Sequence, residues 1–294
     1  MSNPYDIRTL SFVTSIIGLV LCICMLYVFK TRKTYSGFMQ WTAASILNCI
    51  ALGLVSYRNV LPDFVSIVVA NLFIVAAVGL VVRGLELFTN RKRSLWLFVL
   101  IAIAAVILFP YFTYSMPSAT ARIAVLSVIL AILFAYSAYI VRKYVPCLIK
   151  EQNRFLFVSL GILSVWNILR SFLTVFIEGH ITDFMAASAF QGLSMTVFLC
   201  GYILVIVGLI ILNFQKVEFD LSAAAEEVQT LRGIIPICSA CKKIKDDQGT
   251  WGQIETYIRD RSHAEFSHGM CPDCMNRLYP DYADEVSDDK NIIG

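Results

Sequence analysis

Charge is what this sequence has least of. Only 15% of its 294 residues are Asp, Glu, Lys or Arg, while 58% are hydrophobic; a soluble domain averages about 25% charged and about 45–50% apolar. The shortage is uneven. Residues 1–214 hold 15 Lys and Arg against 6 Asp and Glu, and residues 215–294 hold 9 against 15. The two parts are therefore built for different solvents. The acidic balance of the second part argues against a nucleic-acid partner, and its Lys242-Lys243-Ile244-Lys245 run reads as a solvated turn.

Histidine is nearly absent. His180, His263 and His268 all lie outside the long apolar runs, which excludes a haem held between paired histidines inside a bundle. The last apolar run lacks Lys, so a retinal Schiff base of the rhodopsin kind has no attachment point. Neither an internal repeat nor a pair of Gly/Pro-interrupted runs is visible, against an inverted-repeat transporter. Nor does any acid/base or nucleophile set suggest an enzyme.

What the sequence has in quantity is apolar length. A run of roughly 18 or more apolar residues reads as a membrane helix, and seven occur, at about 9–29, 38–57, 64–88, 95–114, 119–141, 155–177 and 184–212. The first has no small-residue cleavage site and is followed by Arg32 and Lys33, so it is not a signal peptide. Positive charge gathers on one side: Lys30, Arg32 and Lys33; Arg83, Arg91, Lys92 and Arg93; Arg142, Lys143, Lys150 and Arg154. The other side has Arg8, Arg58 and Arg122. Positive loops stay cytoplasmic, which predicts an external N-terminus and a cytoplasmic C-terminus. Trp41, Trp96, Tyr111 and Tyr114 fall near span ends and read as interfacial anchors.

A few polar residues fall inside the spans. Arg170 lies in the sixth, with Trp166, Asn167 and Thr174 on the same helical face. Asn71 and Gln191 come at a similar depth, and Asn48 slightly deeper. A buried Arg costs at least about 2.5–3.5 kcal/mol on insertion scales and normally faces the bundle interior. Two readings stand: a ligand or ion pocket in the outer half of the bundle, or polar glue between helices with Arg170 reaching toward Glu178. Arg83 and Glu86 form an i, i+3 pair near the cytoplasmic end.

Beyond the last span, Phe214, Val217, Leu221, Ala224, Val228 and Leu231 keep the 3-4 spacing of a coiled-coil seam, and Gly233 and Pro236 stop the helix. Two readings fit: a parallel homodimer stalk over 214–231, or one amphipathic helix packed on its own chain.

Five of the nine cysteines, Cys22, Cys24, Cys49, Cys147 and Cys200, are scattered and read as small apolar residues. The other four form Cys238-Ser-Ala-Cys241 and Cys271-Pro-Asp-Cys274. Two such knuckles supply four thiolates to one tetrahedral ion, the chemistry of structural zinc; a redox dithiol or an iron–sulfur cluster is the alternative reading. Lys242 and Met275 follow the pairs, so neither is a c-type haem motif. A reducing cytoplasm disfavours disulfides, and so short a module needs a metal to hold it. His268 is open to three readings: a ligand, a hydrogen-bond donor to a thiolate, or a turn residue. Asp246 to Gly249 reads as a turn, Thr250 and Gln253 as a capping box, and Trp251, Ile254, Tyr257 and Ile258 as one apolar helix face over the zinc core.

The run from Leu231 through Cys238, Cys241, Gly249 and Trp251, then Glu255 to Ile258, then Phe266-Ser-His268-Gly-Met-Cys271-Pro-Asp-Cys274, resembles the C-terminal cysteine-knuckle module of bacterial signalling proteins. That module often follows PAS, receiver or membrane sensor domains. The likeness covers about residues 228–280 and implies bacterial signal transduction; residues 1–214 resemble no such family.

The expectation is an all-α membrane protein in the bacterial inner membrane. Residues 1–214 form a seven-transmembrane-helix bundle, 215–233 a cytoplasmic helical extension and 234–280 a small zinc-binding α+β module. Residues 281–294 form an acidic, disordered tail. The function expected is a non-enzymatic sensor, with the lipid bilayer, a second copy and a cytoplasmic signalling protein as partners. The alternative is a transporter or membrane enzyme with a structural zinc module.

Overall fold

A computed structural model describes residues 7–92, 95–150, 153–176, 189–229, 236–246, 248–260 and 264–280. Glu178, Leu231, Gly233 and the tail 281–294 lie outside these, as do the side chains of Glu226, Glu227 and Val228. Seven of its helices are long and apolar enough to cross a membrane. They are α1 (Ile7–Thr31), α2 (Phe38–Ser56), α3 (Phe64–Phe88), α4 (Leu95–Pro110, whose span Trp96–Ser115 takes in the π-helical turn after it), α5 (Ala119–Ile149), α6 (Arg154–Phe176) and α7 (Ala189–Gln229, with its span at Ala189–Ala225). A π-helical turn, Phe64–Val69, opens α3, and another, Tyr111–Ser115, follows Pro110 at the end of α4. The chain divides into two compact units, Met1–Leu221 and Ser222–Gly294.

The first unit is packed in the way a hydrocarbon solvent rewards. The buried stripe of α1 is Ile7, Ser11, Thr14, Gly18, Cys22 and Met25, at 3–4 residue spacing, while Phe12, Ile16, Leu19 and Ile23 point outward. Small and hydroxyl-bearing residues thus face neighbouring helices and large apolar ones face out, as expected where lipid tails are as apolar as Leu and close approach drives association. The hydroxyls are satisfied locally; Thr14 Oγ1 donates to the Leu10 carbonyl at 2.7 Å. Inside, Phe38, Trp41, Leu85, Phe109, Leu133 and Leu156 are fully buried.

Trp41 corrects the expectation of an interfacial anchor. It has no exposed surface, and its Nε1–H donates to the Val81 carbonyl at 3.2 Å. Two glycines make the room. A Cβ on Gly84 would lie 2.1 Å from Trp41 Nε1, and one on Gly37 would lie 2.1 Å from the Gly84 carbonyl oxygen. Gly37 also has φ +102, a left-handed value that suits glycine. Trp96, Tyr111 and Tyr114 are exposed.

The fifth helix also exceeds its expected end at 141, running through Pro146 to Ile149. Proline removes one hydrogen bond from the turn, but Val145 and Ile149 on that turn are buried, and packing carries the helix on. Arg83 Nη1 pairs with Glu86 Oε2 at 3.2 Å, and the Tyr136 hydroxyl donates to Glu86 Oε1 at 3.3 Å, which ties α3 to α5.

In the second unit, β1 (Ile244–Lys245) pairs antiparallel with β2 (Trp251–Gly252), and two short helices follow, α8 (Ile254–Arg259) and α9 (Pro272–Leu278). Part of the basic run is thus a strand; the turn is at Lys242, whose φ is 60. The capping box is not formed. The Asp246 carboxylate accepts from the backbone N–H of Gln248 and Thr250 at 3.0 and 2.8 Å, which turns the chain into β2 and leaves Gln253 to begin α8. Trp251 consequently sits on a strand, 46% exposed, not on the helix face.

Candidate functional site

A cavity of about 80 Å³ opens among α2, α3, α5, α6 and α7, at the end of the bundle where α1 begins. This is the near end of the bundle, and the opposite end is the far end. Its polar lining is Arg58, Asn71, Arg122, Arg170 and Ser194, and its walls include Leu52, Ile74, Leu126 and Phe198.

Each polar group is held by local structure. Arg58 lies in the tight α2–α3 connection, where its backbone N–H donates to the Val55 carbonyl at 3.1 Å, and the residue is buried. Arg122 belongs to the first turn of α5, which Ser118 caps by accepting from Ala121 N at 3.2 Å. Its Nη1 donates to the Phe112 carbonyl and to Thr113 Oγ1, both at 3.4 Å. Arg170 stands six residues before the end of α6, about 9 Å along its axis. Its Nε and Nη2 donate to Gln191 Oε1 at 3.3 and 3.0 Å, and Gln191 Nε2 passes a hydrogen bond to Thr174 Oγ1 at 3.1 Å. Ser194, one turn after Gln191 on α7, is buried, and its Oγ has no hydrogen-bond partner among the described residues.

The intramembrane set read from the sequence is therefore partly gathered. Arg170 and Asn71 share the cavity, and Gln191 orients Arg170. Trp166 lies against Phe190, 6.2 Å between ring centroids with the rings tilted by 36°, and is outside the lining. Asn167 donates back to the Leu163 carbonyl at 2.8 Å, an ordinary intrahelical bond. Asn48 lines a second, smaller cavity with Tyr202. The sequence by itself presents Arg58 and Arg122 only as loop charges. Their shared side with Arg170 was the signal available, because alternating spans bring the end of α2, the start of α5 and the end of α6 to one face.

At the far end of the bundle, α7 is gripped by the α1–α2 connection. The Tyr35 hydroxyl donates to Asp220 Oδ2, and Lys216 Nζ donates to Asp220 Oδ1 at 2.7 Å. Tyr35 N–H donates to Asn213 Oδ1 at 3.2 Å, and Asn213 Nδ2 to the Lys33 carbonyl at 3.1 Å. Burial pushes the Tyr35 hydroxyl up from its ordinary 10 to about 12, with the bond to Asp220 and its charge adding.

In the second unit the two cysteine pairs are formed as separate knuckles. Cys238 closes a turn in which its N–H donates to the Lys243 carbonyl at 2.8 Å and its carbonyl accepts from Lys242 N at 3.0 Å. The backbone N–H groups of Cys241 and Ala240 point at its sulfur and hold its thiol below the usual range. Cys271 occupies the N-cap position of α9, where the N–H of Cys274 lowers its thiol, while Cys271 in turn pushes the Cys274 thiol up. Turns of the CxxC kind that aim backbone N–H groups at a sulfur are the local geometry from which zinc knuckles are built. Among the described residues no group of three or more His, Cys, Asp or Glu is drawn together, and His268 is exposed. Ile244 alone is fully buried among the described residues of this unit's hydrophobics.

Searches against protein-family models, curated proteins and solved structures find no match to this chain.

Proposed function

We propose that this chain is a signal-transduction protein of the bacterial inner membrane. The seven-helix bundle receives a signal at the near end, taken as the outer side, and α7 carries it inward. A zinc module at the C-terminus hands it to a cytoplasmic protein. The observation that carries this reading is the reach of one helix. α7 supplies Gln191 and Ser194 to the near-end cluster and Asn213, Lys216 and Asp220 to the grip at the far end. At about 1.5 Å per residue its 41 residues span about 60 Å, twice a hydrocarbon core of about 30 Å. A rigid element that enters both sites is the kind of connection through which coupling can pass.

Cys238, Cys241, Cys271 and Cys274 would hold the zinc, whose binding would supply the folding energy that a unit with so little core lacks. A homodimer fits the rod. Phe219 packs back on the bundle, whereas Leu221 is 70% exposed and Phe214 and Ala224 are exposed too, which leaves the seam open to a second copy. The positive loops favour the orientation assumed here.

Hydrogen exchange of the full-length chain in lipid nanodiscs tests the relay. Asp220→Asn should speed exchange at 213–229, and Arg170→Gln, in the near-end cavity, should change exchange in the same far peptide. Unchanged exchange there in the Arg170 variant overturns the relay.

A further inference from the structure

A groove of about 660 Å³ lies between α3, α4 and α5, within the range of about 300–1,000 Å³ usual for a ligand site. Phe73, Leu80 and Phe98 wall it, and Ala76, Gly79 and Ala102 give it depth. A Cβ on Gly79 would already meet the Phe98 ring at 3.6 Å. Along α3 the lining runs from Leu72 to Arg83, eleven residues on. At about 1.5 Å per residue this is about 16 Å, half of a hydrocarbon core of about 30 Å. The groove thus has the length of one leaflet. Of the α4 span 22% is buried, against 61% of the α3 span, so α4 packs lightly beside the groove. Ala76, Val99, Ala102 and Val106 of the lining are exposed, which opens the groove sideways. An apolar space does not hold water, and what lies beside it in a membrane is acyl chain.

The far end of the groove is different in kind. Its lining there includes Arg83, whose Nη1 donates to Glu86 Oε2 at 3.2 Å. The Tyr136 hydroxyl donates to the other Glu86 oxygen, and the Tyr136 ring stacks with Tyr139 at 6.4 Å between centroids. Lys143 Nζ donates to the Tyr139 hydroxyl at 3.0 Å and lies 5.6 Å from the centroid of the Tyr144 ring. Arg91 covers that same ring at 4.0 Å. Arg83, Arg91 and Lys143 are thus linked through three tyrosines and Glu86 into one cluster. The segments that form it, 83–93 and 136–143, carry six Lys and Arg against one Glu in the sequence. Tyrosine belongs at the headgroup level of a bilayer, and Lys and Arg at that level attract anionic lipid.

We propose that this groove binds one anionic phospholipid of the far-end leaflet. An acyl chain lies along α3 against Phe73, Leu80 and Phe98, and the phosphate sits among Arg83, Arg91 and Lys143. Glu86 fixes the direction of Arg83, and the cluster as a whole keeps its positive excess. The occupant is a lipid because the groove is one leaflet long and open to the side. The site is separate from the near-end cavity and from the grip on α7, so it stands or falls independently of the relay.

The test is native mass spectrometry of the full-length protein in mild detergent, titrated with phosphatidylglycerol and, separately, with phosphatidylcholine of the same chains. The two lipids share the phosphate, but choline cancels its charge. The parent chain should take up one phosphatidylglycerol saturably and about tenfold or more tightly than phosphatidylcholine, since each basic residue beside an anionic headgroup contributes about fivefold. Arg91→Gln combined with Lys143→Gln should bring the two lipids to similar affinity. Ala76→Phe, which fills the groove from an exposed position, should weaken both lipids by about fourfold for each methylene it displaces. Equal binding of the two lipids to the parent chain overturns the proposal, and that comparison needs no variant to fold. Phosphatidylglycerol binding that Ala76→Phe leaves unchanged overturns it too, because the lipid then sits elsewhere on the bundle.

Discussion

The Tyr35 hydroxyl donates to the Asp220 carboxylate across 185 positions of sequence, joining the first inter-helix connection to the last helix of the bundle. Lys216 holds the second oxygen of the same carboxylate and lies over the Tyr35 ring, 5.8 Å from its centroid. Tyr35 and Lys216 thus share the one carboxylate of Asp220.

That sharing gives a double-mutant prediction. A hydrogen bond to a charged group contributes about 1.5–3 kcal/mol, and partial exposure here reduces that to about 1 kcal/mol. Tyr35→Phe and Asp220→Asn should each destabilise the bundle, and the double variant should cost less than the sum, with a coupling of about 1 kcal/mol in chemical or thermal unfolding. Additive losses would mean that the bond contributes nothing. Because the Tyr35 pKa in the folded state lies above its ordinary 10, the hydroxyl's contribution is fully present below pH 10 and fades as pH climbs through about 12. The contact should therefore be insensitive to pH across the neutral range.

Zinc is checked by elemental analysis of the full-length chain. One zinc per chain is expected, and Cys241→Ser or Cys274→Ser should lose it and expose the 236–280 region to limited proteolysis, since Ile244 offers too little core alone. A stoichiometry near zero in folded parent protein would exclude the metal.

Two glycines of opposite circumstance separate packing from propensity. Gly37→Ala sets a Cβ 2.1 Å from a backbone oxygen at a left-handed φ, so neither the neighbour nor the torsion can yield cheaply. A loss of about 2–4 kcal/mol is expected, seen as a lower unfolding temperature or failure to accumulate. At Gly161, on α6, a new Cβ meets nothing within 4 Å, and Gly161→Ala should be neutral or stabilise by up to about 1 kcal/mol.

The second copy is tested by cross-linking in membranes. Leu221→Cys should form an intermolecular link efficiently and Lys216→Cys should not, because Lys216 is turned toward Tyr35 and Asp220 of its own chain. Equal yields at the two positions, or none at either, would discard the dimer.

The helices were legible because apolar length is a property of the sequence alone. Side-chain direction was not, and the misreadings are of that kind. An aromatic near a span end looks the same whether it meets headgroups or a neighbouring helix; Trp41 turns inward because Gly84, 43 positions on, leaves space for it. Arg142, Lys143 and Pro146 resemble a helix end, yet Val145 and Ile149 beside them are packed and the helix continues. Thr250 has the residues of a capping box, but Asp246 takes its N–H first. Of the near-end cavity, Arg170 and Asn71 were visible as polar residues within apolar runs, whereas Arg58 and Arg122 were hidden by their place in or beside loops. The cysteine spacing needed no structure at all.

The close fit of Gly37 against Gly84 has a bearing on how α7 can move. The connection that carries Tyr35 has no slack toward α3, since backbone there touches backbone. Tyr35 therefore cannot follow α7 through a gradual excursion. The helix either keeps its hold on Asp220 or lets go, and intermediate positions are penalised by a stretched bond on one side and an immovable wall on the other. Were α7 to carry a signal as proposed, such a contact would give the response a threshold rather than a graded rise.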